Sequence, residues 1–146
     1  MFAGALCRAA PLQAEPSHPA LRSLVPLVEV FAAGQPIPGY DVAGLRCAGL
    51  RLAQDDWTRR NPGVAGPTAT EMAEVDLMLQ ASENHRLSEG RELGRVHVSV
   101  ERDARRVWRL YLRRFDANLR KAGHPWQGDP LVTGDTGFCK ALARRG

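Results

Sequence analysis

The chain has 146 residues and a mass of 16.0 kDa, enough polymer for one core and too little for a multidomain enzyme. Hydrophobic residues make up 44% and charged residues 25%, the balance of a folded globular protein. No membrane span is expected, because Arg22, Glu29, Asp41, Arg46 and Arg51 interrupt the most apolar third before it reaches about 18 uninterrupted residues. The formal charge is +4 and the pI about 9.4, so any preference for a partner rests on how charge is distributed rather than on its total.

Every basic residue except Lys121 and Lys140 is arginine. Planar bidentate contact with phosphate or carboxylate favours that choice, and a G+C-rich coding sequence explains it equally. Cys7, Cys47 and Cys139 are odd in number, far apart and without C-x-x-C spacing, which suits a reducing cytoplasm better than a disulfide framework. The first fourteen residues lack a basic stretch ahead of a long apolar one, so a secretory signal is not expected. Residues 1–18 read as a flexible arm punctuated by Pro11 and Pro16, and residues 19–146 as a single helical domain.

In chain order, Leu21, Leu24, Val25, Val28, Phe31 and Ala32 keep helical spacing from Pro19 to Gly34, with Pro26 kinking that helix or delaying its start. Residues 35–40 contain Pro36, Pro38 and Gly39 and read as a turn. A helix over 41–60 opens on Asp41 and stops before Asn61-Pro62-Gly63, with Leu45, Ala48, Gly49, Leu52, Ala53 and Asp56 on one face. Thr68 or Thr70 caps the next helix, whose first turn holds Glu71 and Glu74 and whose apolar stripe is Met72, Val75, Leu79 and Leu87. Its end is placed near 82–85.

Val96, Val98 and Val100 alternate with Arg95, His97 and Ser99. That pattern fits a short extended segment near residues 95–99 and, as well, the start of a helix. The strongest element covers 99–122, where Val100, Ala104, Val107, Trp108, Tyr111, Phe115, Leu119 and Ala122 recur every three or four residues and Gly123-His124-Pro125 ends the run. From residue 123 the chain reads as a loop-rich tail that packs through Trp126, Leu131 and Phe138 or stays loose, with one last helical turn within 138–145. The fold class is therefore mainly α, a bundle of four or five helices with 99–122 as its central or longest member.

Charge is segregated along the chain. Residues 69–98 are acidic overall, whereas 99–122 hold eight basic and three acidic residues. At about 100° per residue, Arg102, Arg106, Arg109, Arg113 and Arg120 fall opposite the apolar stripe of that helix. Such a face pairs internally with Glu71, Glu74, Glu83, Glu89 or Glu92, follows a nucleic-acid backbone, or meets an acidic protein surface. Trp108 and Tyr111 lie on the apolar side and read as core rather than as base-stacking residues.

No reaction is legible. His18, His85, His97 and His124 do not pair with one another or with cysteine at metal-ligand spacing, and no Gly-rich phosphate loop occurs. Gly134-Asp135-Thr136-Gly137 resembles the short Asp-Thr-Gly motif of aspartic proteases, but without the flanking β framework it reads as a turn. The expectation is a small, non-enzymatic regulatory or interaction protein of the cytoplasm, without cofactor or metal. It would use Arg102, Arg106, Arg109, Arg113 and Arg120 to bind nucleic acid or, alternatively, an acidic protein partner.

Overall fold

A computed structural model describes residues 17–32 and 39–145. Among them the chain forms a 3-10 turn at Pro19–Leu21 and five α-helices: α1 (Leu27–Ala32), α2 (Gly39–Arg60), α3 (Ala69–Ser88), α4 (Leu93–Ala122) and α5 (Pro130–Arg145). No described residue is in a strand, so the mainly α class holds. Most of the N-terminal arm, Cys7 and residues 35–38 of the expected turn lie outside the described residues; residues 39–40, also expected in that turn, form the start of α2 instead.

Helix α2 is the centre of the bundle. Every residue from 42 to 51 is buried, and α3, α4 and α5 all pack around it. A helix apolar on nearly all sides is one that neighbours surround. The 99–122 segment is the core of the longest helix, but it is not the central one. Gly49 sets the approach of α2 to α4, because a Cβ there would lie 2.4 Å from Val107 Cγ1. No larger residue fits without moving one helix.

Thr68 caps α3 in a capping box with Glu71, each residue's side chain accepting from the other's backbone N–H. The helix runs on to Ser88, past the expected end near 82–85, and carries the buried Arg86 inward on its last turn.

Of the two readings of residues 95–99, extended or helical, the extended one fails and the helical one holds. Val96 and Val100, four residues apart, are both buried, whereas Val98 is 64% exposed. The valines therefore continue the buried stripe of α4 by one more turn; burial of a helical face decided against the period-two pattern. Gly123 ends α4 in the left-handed region at φ 74°, its N–H donating to Leu119 O.

The loop-rich tail is likewise overturned, since α5 occupies most of it. Asp129 Oδ1 accepts from the N–H groups of Leu131 and Val132 at 3.0 and 3.4 Å, and Pro130 opens the helix, where its missing N–H costs nothing. Gly134 and Gly137 sit on the solvent side of α5, where they lower helix propensity without breaking packing. Trp126 packs as expected, its ring 4.9 Å from Phe115 and 5.8 Å from Trp57.

At the other end, the expected helix from Pro19 is split. The 3-10 turn ends at Leu21, and α1 begins only after Pro26, whose carbonyl accepts from Glu29 and Val30. Ser17, the first described residue, is buried rather than loose, and its hydroxyl donates to Asp103 at 2.6 Å.

Cys47 of α2 and Cys139 of α5 form a disulfide across a sequence separation of 92, and both are buried. The reading of the cysteines as reduced therefore fails for this pair. Distance along the chain carried no information on contacts made by packing two helices. Among the described residues no helix is long and apolar enough to cross a membrane.

Candidate functional site

The five arginines singled out by spacing do lie on one side of α4, within about 60° of one another around its axis and opposite Val100 and Val107. Their surroundings divide them into two sets. Arg102 hydrogen-bonds Asp103 Oδ1 through Nε at 3.0 Å and Nη2 at 2.9 Å. Arg106 Nη1 donates to Ser17 Oγ at 2.9 Å. Arg106 thus holds the entering chain and Arg102 the carboxylate to which Ser17 donates, so neither half-buried side chain is available as a free contact row. Arg109, Arg113 and Arg120 are exposed, and among the described residues no carboxylate pairs with them. Their Cα atoms span roughly 16 Å along the helix.

The acids of α3 do not neutralise this row. Glu71 pairs with the buried Arg51 at 3.0 Å, Glu83 with His97 at 2.8 Å, and Glu89 with His85 and Arg91. Just beyond α3, Glu92 pairs with Arg95 at 3.4 Å. Arg105 is tied to Glu101, and Arg114, on the inner side of α4, holds Asp129 by two hydrogen bonds of 2.6 and 2.9 Å. The pairing weighed with Glu71, Glu74, Glu83, Glu89 or Glu92 is therefore not what holds the flanks of the face, where Arg105 and Arg114 use Glu101 and Asp129, and among the described residues Arg109, Arg113 and Arg120 have no carboxylate partner at all.

Two interior ionic clusters hold the helix that presents the row. In the first, Arg46, fully buried on α2, donates from Nη2 to Asp135 Oδ2 at 2.6 Å and from Nη1 to Ala20 O at 3.1 Å. The Tyr111 hydroxyl donates to the same Asp135 oxygen and accepts from Arg46, while Asp135 Oδ1 accepts from Leu27 N–H at 2.8 Å. One charge pair joins the 3-10 turn and helices α1, α2, α4 and α5. Burial pushes the Tyr111 hydroxyl far above the usual phenol range, so it stays a proton donor to the carboxylate.

In the second cluster, Arg86 donates to Asp103 at 2.8 Å, to Ser99 at 2.7 Å and to both carboxylate oxygens of Asp41. Burial raises Asp41 above its ordinary range, and Arg86 only partly offsets this. Asp103 is also buried, but hydrogen bonds from Ser17, Arg86 and Arg102 outweigh that cost and lower its pKa.

Sequence reasoning missed both clusters. The available signal was Arg46 itself: a charge inside the apolar run 42–50 must be buried and must therefore have a partner. Asp135, read as part of a turn, is that partner. It sits within α5 with its carboxylate committed to Arg46, Tyr111 and Leu27, an arrangement that holds helices together rather than one that activates a water.

A groove of about 460 Å³ opens between α2, α3 and α4 over Leu52, Leu79, Val100, Ala104 and Trp108. The charges at its rim are self-paired, as in Glu83 with His97 and Glu101 with Arg105. Trp108 is half-buried there, and its indole N–H meets no acceptor among the described residues. No protein-family model, curated protein or solved structure matches the chain.

Proposed function

We propose that this is a non-catalytic interaction protein that docks through Arg109, Arg113 and Arg120 of α4 onto an acidic surface of a protein partner. The observation that carries the reading is the division of the arginines: three are exposed with no carboxylate partner among the described residues, while Arg102 and Arg106 are spent inside the fold. A row of three suits an acidic protein patch, where a few well-placed arginines dominate binding. Nucleic-acid binders that rely on backbone contact neutralise more phosphates, on the order of six to ten.

The buried Cys47–Cys139 bond supports the same choice. Disulfides persist in oxidising compartments, where nucleic acid is scarce, so we place the protein there rather than in the cytoplasm. The nucleic-acid reading is favoured by one observation, the linear run of the three arginines along a continuous 30-residue helix.

Fluorescence anisotropy separates the two. An Asp/Glu-rich labelled peptide is expected to bind at physiological salt and to be released by Arg113→Glu, while labelled duplex and single-stranded DNA bind negligibly. DNA binding with a log-log salt slope of about −2.7, about −0.9 for each of three phosphates, would transfer the assignment to nucleic acid. Binding to none of these probes removes the function from this face.

A further inference from the structure

Helix α5 is attached to the bundle differently from the other long helices. Helices α2, α3 and α4 interlock through a shared apolar interior that includes Leu50, Ala53, Val75, Met78, Val100, Ala104 and Val107. In contrast, α5 buries only Leu131, Val132 and Cys139 among its apolar residues, with Phe138 and Leu142 half-covered and Phe138 stacked on Phe31 at 5.2 Å. Its other fastenings are polar: Asp129 to Arg114 and Asn118 at its start, and Asp135 to Arg46 and Tyr111 one and a half turns on. A buried ion pair roughly breaks even against its desolvation, so the Asp135–Arg46 pair fixes where α5 sits more than how tightly it is held. One turn beyond Asp135 comes the covalent tie from Cys139 to Cys47.

We propose that α5 is a latch closed by the Cys47–Cys139 bond, which a dithiol reductant opens while α2, α3 and α4 stay folded. The chemistry is ordinary exchange. A reductant thiolate attacks one protein sulfur and the S–S bond breaks, expelling the other cysteine as a thiolate that takes up a proton. The reductant's second thiolate then attacks the reductant sulfur of the mixed disulfide and expels the remaining protein cysteine as a thiolate, which takes up a proton, leaving two protein thiols and an oxidised cyclic reductant. Both sulfurs are buried, so attack occurs when α5 lifts transiently, and reduction then removes the bond that brings it back. Opening bares the Arg46 guanidinium and the Tyr111 hydroxyl, which in the closed state meet Asp135.

The test is hydrogen exchange by mass spectrometry on the full chain, with and without dithiothreitol, alongside alkylation under denaturing conditions to count thiols. Of the three cysteines, one is expected to alkylate before reduction and three after it. On reduction, amides of 130–145 are expected to exchange at least tenfold faster while those of 42–60 and 96–115 hold their rates. Cys139→Ser without reductant should show the same pattern. Three alkylated thiols before reduction would overturn the proposal. So would full protection of 130–145 after reduction, or loss of protection throughout α2 and α4, which would make the bond a staple for the whole fold.

Discussion

Asp135 shows how much one side chain can organise. Its carboxylate accepts from a guanidinium, a phenol and a backbone N–H, so removing it leaves the fully buried Arg46 charge facing only Ala20 O and Tyr111. Asp135→Ala is expected to cost about 3–5 kcal/mol, the usual penalty for breaking a buried pair from one side. Tyr111→Phe, which removes the donor to Asp135 and the acceptor for Arg46 while keeping the ring, should cost about 1–3 kcal/mol. Urea unfolding of each variant measures both, and a larger loss for Tyr111→Phe than for Asp135→Ala would contradict the pairing.

A second carboxylate gives a pH signature. At Asp129, burial alone would raise the pKa, but hydrogen bonds from Arg114 and Asn118 and from Leu131 N–H outweigh it and hold the carboxyl at about 2, against 3.8 for the ordinary group. A depressed folded pKa gives stability that is fully present above the unfolded value and lost as pH falls through the folded one, here roughly 2 kcal/mol. The stability gap between the wild type and Asp129→Asn should be constant above about pH 4 and close as pH drops toward 2. A gap that stays flat from pH 6 to 2 would show that Asp129 gains nothing from its partners in the fold. Asp41, raised by burial, acts with the opposite sign, because its ionisation opposes folding.

At the scale of elements, packing between helices overrode local pattern wherever the two disagreed. Thr68 and Gly123 mark helix ends in the sequence because capping is a local matter, and both act as read. The stripe of α4 was legible in part: Val100, Ala104, Val107, Tyr111 and Phe115 are buried, whereas Trp108 is half-buried and Leu119 and Ala122 are exposed. Residues 130–137 were misread as loop, because glycine content speaks for a free chain, and 95–99 stayed open between strand and helix because valine alternation fits both. Here Val96 finds the α4 stripe, and Asp129, Asp135 and Cys139 find partners at sequence distances that no local window covers. Gly49 was placed on the inner face of its helix, but its reason is visible only where Val107 meets it. Gly49→Ala gains up to about 1 kcal/mol of helix propensity and pays about 1–3 kcal/mol for overpacking, so a net loss in thermal and urea stability is expected. A stabilised variant would mean that α2 and α4 can separate at no cost.

For the whole molecule, the arginine-rich composition includes two extremes that sequence spacing could not tell apart. Arg46, Arg51 and Arg86 lie inside, each with 4% or less of its surface exposed and each paired to a carboxylate, whereas Arg109, Arg113 and Arg120 lie outside. The first population is part of the fold, and the second answers to a partner or to nothing. Arg86→Ala leaves Asp41 and Asp103 without their shared cation and should cost about 3–5 kcal/mol. Replacing Arg109, Arg113 and Arg120 together by Glu touches no carboxylate partner among the described residues, so stability should change by no more than about 0.5 kcal/mol per site. The helical circular-dichroism spectrum should be unchanged, while binding of the acidic peptide is lost. If the triple variant unfolds, the outer arginines are structural after all, and α4 carries no docking face.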